Sequence, residues 1–542
     1  MAAKSTQKKL ASIFLVAATA LSLFSVFYFT IVLSKDSLNS DVFDTIMWAK
    51  ATYESGSLFA HDFNYAAFLP FGGSLLMLPF IYIFGVSFTT HTIGMILFEI
   101  IFFGSLVLFA KKINFNANQI MFFIISMCSL WLCGTKFREM FCQHIIYYSL
   151  SVLFIFIGYT LLVSLTESFR NGNKKKLIIL SFLTFIFFFL VATDGFQLIF
   201  ISTVPLVGGF LLERFFCLKT KLLSNKNIPE IFSVLLALIA TGIGFIVTYV
   251  VTKGNAAGYA SAYSVYDSET ALEWVEKLRI FFVDYYQLFG VSFPSGTSFT
   301  DFAQFSPLIR FAFSTLVFLS LPVTAVLFKK INNKDLKRIF FITVTMFSAT
   351  VFLWFFGVIG GASWRLIPMI SCLLILFVCD LVYFCKKTYY LRFNAPIIAV
   401  AVMFFFVSII GVLSIKPSGK KYGEHQNIIE KIENSGIYNG YSDFWVSSVI
   451  NVMSGEELNS YNIRYDNDKL CLYEYQQFKY DETRAPYNSS FMVLSANDAV
   501  RFEKSESYNE LLPYLTEKYD EKKENRFVVY FYSKDIGYIF KE

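Results

Sequence analysis

A chain of 542 residues with 56% hydrophobic side chains, 16% charged side chains and a mean hydropathy of +0.55 is too apolar for an ordinary water-soluble protein, whose domains carry about 25% charged residues. The net charge of +6 does not mark a nucleic-acid binder, because the lysines and arginines cluster between apolar segments, where membrane orientation accounts for them. Seven of the eight cysteines lie in or beside apolar segments and only Cys471 falls in the polar tail, which excludes a disulfide within that tail.

Lys4, Lys8 and Lys9 precede an apolar run from Leu10 to Leu33. About 20 residues suffice to span a bilayer, and no small-residue cleavage site stands out before Ser34, so the run reads as a retained first helix. Further apolar segments follow at roughly 66–88, 91–110, 119–135, 141–165, 177–191, 196–216, 229–252, 306–328, 338–358, 364–385 and 394–415. They read as helices, since an open strand in lipid leaves backbone groups unpaired. The positive-inside rule puts the N-terminal lysines, Arg170 to Lys176, Lys219 to Lys226, Lys329 to Arg338, and Lys386 with Lys387 on the cytoplasmic side. Asp194, the loop Lys253 to Ser306, the turn before Trp364 and everything after Ile415 then fall outside. Twelve full crossings from a cytoplasmic N-terminus would return the tail inside, so one segment must break the count. Segment 119–135, short and preceded by Lys111 and Lys112, reads as re-entrant or partly inserted, which leaves eleven crossings, with thirteen the other open count. The fold class expected is thus a polytopic α-helical membrane protein of about 11 to 13 helices.

After Pro417 the chain turns polar and charged for more than 120 residues, enough for a small extracytoplasmic α/β domain at 418–542 beside a transmembrane domain at 1–417. Helical periodicity is read at His425 to Asn434, at Asp443 to Met453 behind a cap at Ser442, and at Tyr508 to Tyr519. Phe491 to Leu494 and Phe527 to Tyr532 read as strands.

The loop Ser34 to Tyr65 carries Asp36, Asp41, Asp44, Glu54, His61 and Asp62 just beyond the first helix. Acids there are either a solvated loop or part of a site. Asp41, Ala49 and Gly56 lie in DVFDTIMWAKATYESG, ahead of a Pro-led apolar helix at Leu69 to Gly85. This spacing resembles the start of membrane glycosyltransferases of the GT-C class, especially the family 39 group of protein mannosyltransferases and lipid A aminoarabinose transferases. The usual pattern there is a paired Asp-Glu; here Val42 replaces the second acid and Asp44 stands close by. The resemblance implies a single inverting displacement on a polyprenyl-phosphate sugar, with Asp41 as the base and Asp44 beside it; no cysteine pair has metal-ligand spacing, and neither a cofactor nor a metal site is assigned. Such chemistry needs a base near the nucleophile and cations near the departing phosphate.

Asp194 in ATDGFQ, followed by the turn-forming Gly195, either caps the next helix or faces the pocket. Arg365 in GGASWRLIP resembles an arginine that family 39 relatives place before an apolar residue and Pro, where it could clamp phosphate bidentately; interfacial snorkelling is the other reading. Lys136, Arg138, Glu139 and His144 form a further charged cluster, and Arg138, His144 and His61 stand as reserve substrate contacts. An amphipathic interfacial helix is read in the loop Lys253 to Ser306, around Glu269, Glu273, Trp274, Glu276, Tyr285 and Tyr286. In the tail, GIYNGYSDFW resembles a segment of exported tails in some bacterial GT-C-like proteins, and Tyr441, Phe444 and Trp445 are there either core or sugar-stacking residues. No dinucleotide fingerprint, P-loop or nucleophile elbow occurs. The function expected from the resemblance is transfer of a sugar from a polyprenyl-phosphate donor to a glycan, lipid or protein acceptor outside a bacterial cytoplasmic membrane. A transporter or flippase, and a non-catalytic envelope assembly protein, are the alternatives.

Overall fold

A computed structural model describes residues 2–65, 67–217, 227–253, 271–293, 304–356, 362–385, 391–417, 419–466, 469–481, 483–520 and 527–540. Lys219 to Lys226, Glu269, Gly360, Lys386 and Lys387 lie outside the described residues. In chain order the helices of the apolar part are α1 (Ala2–Tyr28), α2 (Asp44–Ser55), α3 (Gly73–Phe84), α4 (Phe88–Lys112), α5 (Ala117–Cys133), α6 (Thr135–Cys142), α7 (Tyr147–Arg170), α8 (Lys174–Thr193), α9 (Phe196–Leu198), α10 (Val204–Cys217), α11 (Ile228–Val251), α12 (Ala271–Leu288), α13 (Phe305–Leu327), α14 (Lys334–Phe355), α15 (Ile367–Cys385) and α16 (Leu391–Leu413). The tail adds α17 (Lys420–Asn434), β2 (Asn439–Asp443), α18 (Phe444–Met453), β3 (Asn459–Asp466), β4 (Lys469–Leu472), β5 (Gln477–Phe478), β6 (Ser490–Ser495), α19 (Ala496–Phe502), α20 (Glu506–Leu511), β7 (Leu515–Tyr519) and β8 (Phe527–Tyr532); β1 (Phe63–Asn64) comes from the early loop.

The chain divides into two compact units. The first comprises Met1–Phe29, Phe98–Val251 and Ser261–Ile415, and the second Thr30–Leu97, Thr252–Ala260 and Lys416–Glu542.

Ten helices among the described residues are long and apolar enough to cross a membrane, or eleven if the bent pair α5–α6 is one span. Several of those in the first unit begin at asparagine caps directly after polar turns: Asn116 before α5, Asn173 before α8 and Asn333 before α14 each accept a backbone N–H. Helix α15 is apolar but for Ser371 and Asp380 and almost wholly buried, so it forms the centre that α7, α13, α14 and α16 pack against. At the end of segment 119–135, helices α5 and α6 meet at a bend of 114°, the geometry of either a broken span or a re-entrant loop. Gly134 sits at that break, where a Cβ would come within 2.0 Å of the Leu288 carbonyl oxygen, so only glycine lets the chain of α12 approach there. Segment 66–88 departs from expectation. Among its described residues before α4, only the 12 of α3 are helical: the helix starts at Gly73, and Gly85 ends it at φ 68°.

The second unit contains a six-stranded mixed sheet in the order β4-β3-β2-β6-β8-β7. Strand β2 runs parallel to both β3 and β6, and the other neighbours are antiparallel. Tyr441, Ile463, Met492, Leu494, Phe502, Val528 and Tyr530 supply its core. A separate two-stranded pairing joins the early loop to the tail, with Phe63 opposite Phe478 and Asn64 opposite Gln477. The α17, β6 and β8 segments match the periodicity read from sequence. Helix α18 is capped by Asp443, whose side chain accepts from the Trp445 N–H, rather than by Ser442. The helix expected over Tyr508 to Tyr519 stops at Leu511, since Pro513 cannot continue it, and Leu515–Tyr519 become the edge strand β7.

Candidate functional site

The sequence-selected residues fall into two groups, one in each unit. In the second unit Asn39 opens a short 3₁₀ turn, Ser40–Phe43, by accepting from the Val42 N–H at 3.1 Å. Asp41 rides half-buried on this turn, and Val42 and Phe43 point into the core. Helix α2 begins with Asp44, which is 4% exposed and is bonded by the Gln476 side chain. Burial, and next the charge of Asp41, hold the Asp44 carboxyl well above the usual carboxylate range. The two acids are therefore electrostatically coupled.

The structure also joins two motifs that were far apart in sequence. Ser40 donates to the Phe444 carbonyl and accepts from the Ser448 N–H at 3.2 Å, so the acidic turn is pinned to the first turn of α18. Asp41 acts on Tyr473, whose hydroxyl is pushed up by burial while the Arg464 guanidinium, 4.2 Å from the ring, works against that. Of the three aromatics considered for stacking, Tyr441 is wholly buried in the sheet core and Phe444 is buried; Trp445 is 54% exposed. His61 is exposed and rests edge-on against Phe59 at 4.9 Å. Ala49 is completely buried on α2, and Gly56 ends that helix in the left-handed region at φ 64°.

In the first unit a cleft of about 440 Å³ opens among the N-terminal end of α7, the segment after Gly195, the C-terminal end of α14 and the 3₁₀ turn Ser363–Leu366. Its walls are mostly apolar, with Phe196, Phe200 and Phe352, and its polar groups are Tyr148, Gln197, Thr350 and Arg365. Asp194 is buried two residues before this wall, and Gly195 takes φ 91°. The residue at the N-cap position of α9 is Gly195, with Asp194 one residue before it. Lys136 lies 4.7 Å from the Trp364 ring and pairs with Glu139 at 2.8 Å, which brings the α6 cluster beside the turn that carries Arg365. Arg138 instead turns to the Leu132 carbonyl at 2.8 Å and stacks on Phe29. His144 is 3% exposed, in the link between α6 and α7. On α12, Phe281, Tyr285 and Leu288 are buried, while Glu273 and Glu276 are exposed together with the apolar Val275 and Leu278.

Gln197, Tyr148 and Thr350 were not picked out from sequence; only their spacing at helix ends beside aromatic residues could have signalled them. A second omission is a buried charge cluster at the ends of α7, α10, α11 and α14. Glu230, 1% exposed, pairs there with Arg170, Arg214, Lys334 at 2.8 Å and Arg338 at 3.4 Å. Isolated charges closing apolar runs were its signal. Among the described residues no group of three or more His, Cys, Asp or Glu side chains is placed to hold a metal ion. Comparison with protein-family models finds no match, and comparison with curated proteins finds none either.

Proposed function

We propose that the protein is a GT-C-type glycosyltransferase that moves a sugar from a polyprenyl-phosphate donor to an acceptor outside a bacterial cytoplasmic membrane. The observation that carries this reading is the cleft of the first unit, in which Arg365, with Gln197 and Thr350, joins a mostly aromatic and aliphatic lining. An amphiphile with an anionic head and a hydrocarbon chain matches such a lining: the chain is sheltered by Phe196, Phe200 and Phe352, and the guanidinium offers a planar fork to phosphate oxygens. Tyr148 and Gln197 supply further donors.

The second support is the coupled acid pair on the turn Ser40–Phe43 and the start of α2. Asp41, the less buried of the two, is the group suited to receive a proton from an acceptor hydroxyl. Asp44, held toward its protonated form, keeps a second negative charge from building up beside it. In this scheme the hydroxyl oxygen attacks the anomeric carbon, its proton passes to Asp41, and the bond to phosphate breaks with the electron pair leaving on the phosphate oxygen. The configuration inverts once.

Purified protein in liposomes, given a labelled polyprenyl-phosphate sugar and candidate acceptors, tests the assignment. Asp41→Asn is expected to lower transfer by at least ~100-fold, the usual contribution of a general base, with the fold retained. Undiminished transfer would remove Asp41 from the base role. A second reading, transport of a charged or lipid-linked solute, draws support from Glu99, wholly buried in α4, and from Asp380 in α15, which accepts from Thr324 at 2.5 Å. Counterflow of labelled lipid-linked sugar without any product would favour it.

A further inference from the structure

Within the second unit a cleft of about 350 Å³ lies between helix α2 of the early loop and the start of β3 in the tail, apart from the acidic turn at Asp41. That volume sits at the small end of the range for ligand sites, ~300–1,000 Å³. One part of its wall is apolar, from Met47 and Phe478. The other part is polar, from Lys50, Glu54, Glu456 and Asn459. The charges are organised among themselves. Lys50 pairs with Glu456 and, at 3.6 Å, with Glu54 one turn further along α2. Two carboxylates against one ammonium leave the cleft net negative, which disfavours phosphates, uronates and other anions.

Two backbone features bear on the same place. Glu456 holds φ at +69° and Gln476, next to the lining residue Gln477, holds +55°. Left-handed backbone at a residue other than glycine costs about 1–3 kcal/mol and concentrates at functional sites. Glu456 follows Gly455 in the turn that ends α18, its N–H donates to the Asn451 carbonyl at 2.9 Å, and its carboxylate meets Lys50. Asn459 is exposed, and its amide reaches only Asn439, at 3.5 Å, among the described side chains. Such a marginal contact leaves it available to a ligand.

A ligand that fits must present an apolar face to Met47 and Phe478 and several donors and acceptors to the opposite wall, without negative charge. A pyranose ring has this make-up, with C–H groups on its faces and hydroxyls around its edge. We infer that the cleft between α2 and β3 is a binding site for an uncharged or amine-bearing sugar unit. The inference stands on residues of the second unit alone and does not need the transferase reading.

Saturation-transfer NMR on the full chain, kept in a detergent without a sugar head group, tests it with glucose, galactose, mannose, N-acetylglucosamine and glucosamine as probes. Transfer to the ring protons of at least one probe is expected. Asn459→Ala should weaken that binding about fivefold, the value of one hydrogen bond, and Asn459→Trp, which fills the opening, should abolish it while amide exchange in β2 and β6 stays unchanged. Transfer to none of the five sugars, or transfer that survives Asn459→Trp, overturns the inference. Sugar binding in a protein that proves unable to transfer sugar would leave this site standing and remove only the proposed activity.

Discussion

Removing the charge of Glu230 is the sharpest test of how the helical unit is held together. The carboxylate is 1% exposed and lies among Arg170, Arg214, Lys334 and Arg338, which come from three other helices, α7, α10 and α14. Glu230→Gln keeps the size of the side chain but strips the partner from these cations. Their exposure decides how much each loses. Arg170 and Lys334 have side chains 42% and 34% exposed, so water screens them and their share is small. Arg338, at 3%, and Arg214, at 15%, cannot be rehydrated without opening the unit. They keep Glu213, which lies 3.5 Å from Arg338 and 3.3 Å from Arg214, as a remaining counter-charge. Breaking a buried pair costs ~3–5 kcal/mol, and with Glu213 still present the lower end, about 3 kcal/mol, is expected. Unfolding in mixed detergent micelles, followed by the loss of helical circular dichroism, measures it. Arg170→Ala is the control and should cost under ~1 kcal/mol, as exposed pairs do. A Glu230→Gln protein no less stable than Arg170→Ala would refute the view that this cluster clamps α7, α10, α11 and α14.

Arg365→Lys preserves charge but not the planar fork; under the transferase reading the KM for the polyprenyl-phosphate donor should rise about tenfold with acceptor KM unchanged, measured in the liposome assay. Asp44 has a folded pKa raised by burial and by Asp41, so the stability it lends is present below its ordinary value of about 3.9 and is lost as pH rises through the folded pKa. Asp44→Asn should therefore make α2 more protected at neutral pH than in the parent, read by amide exchange, with the difference vanishing in acid. Asp443 behaves in the same direction: burial, outweighing the Trp445 N–H bond, and then Asp498 raise it to about 6. Protection of β2 and β6 should fall as pH rises from ~4 to ~7. Asp443→Asn, which still caps α18, should flatten that fall.

The membrane part of the fold was legible because its signal is additive. Each long apolar run exceeds what a soluble helix needs, and capping asparagines mark where several helices begin. What could not be read was local geometry. The segment 66–88 is as apolar as its neighbours, yet glycines at both ends confine the helix to Gly73–Phe84. Apolarity alone does not see where the backbone leaves helical space. The tail was legible at β6 and β8, whose runs are continuous and fully buried. It was not legible at β2 and β3, where polar residues such as Ser442, Ser460 and Asn462 are buried and paired across strands or to neighbouring side chains. Burial of satisfied polar groups erases the hydrophobic alternation on which strand reading depends.

The spacing of Asp41, Ala49 and Gly56 acquires a physical account from helix α2. Gly56 is where the helix must end, since its left-handed backbone favours a residue without Cβ. Ala49 is wholly buried on that helix, and the position of the missing second acid, Val42, is 1% exposed. An acid there would be buried with no chemistry to perform, whereas Asp44, two residues later, is the buried acid the chain does keep and supplies with a partner in Gln476. The small residue and the glycine are thus explained by the packing and length of α2, with no appeal to catalysis. Asp41 is not explained that way: it is half-buried on a turn pinned through Ser40 to α18, and neither the packing nor the length of α2 accounts for its carboxylate. Asp41→Ala should accordingly leave the unfolding midpoint within the range of ordinary surface substitutions, ~0.5 kcal/mol, while Ala49→Leu, forced into a filled space, should lower it by ~1–3 kcal/mol. Equal losses from the two would mean that Asp41 belongs to the scaffold and not to the chemistry.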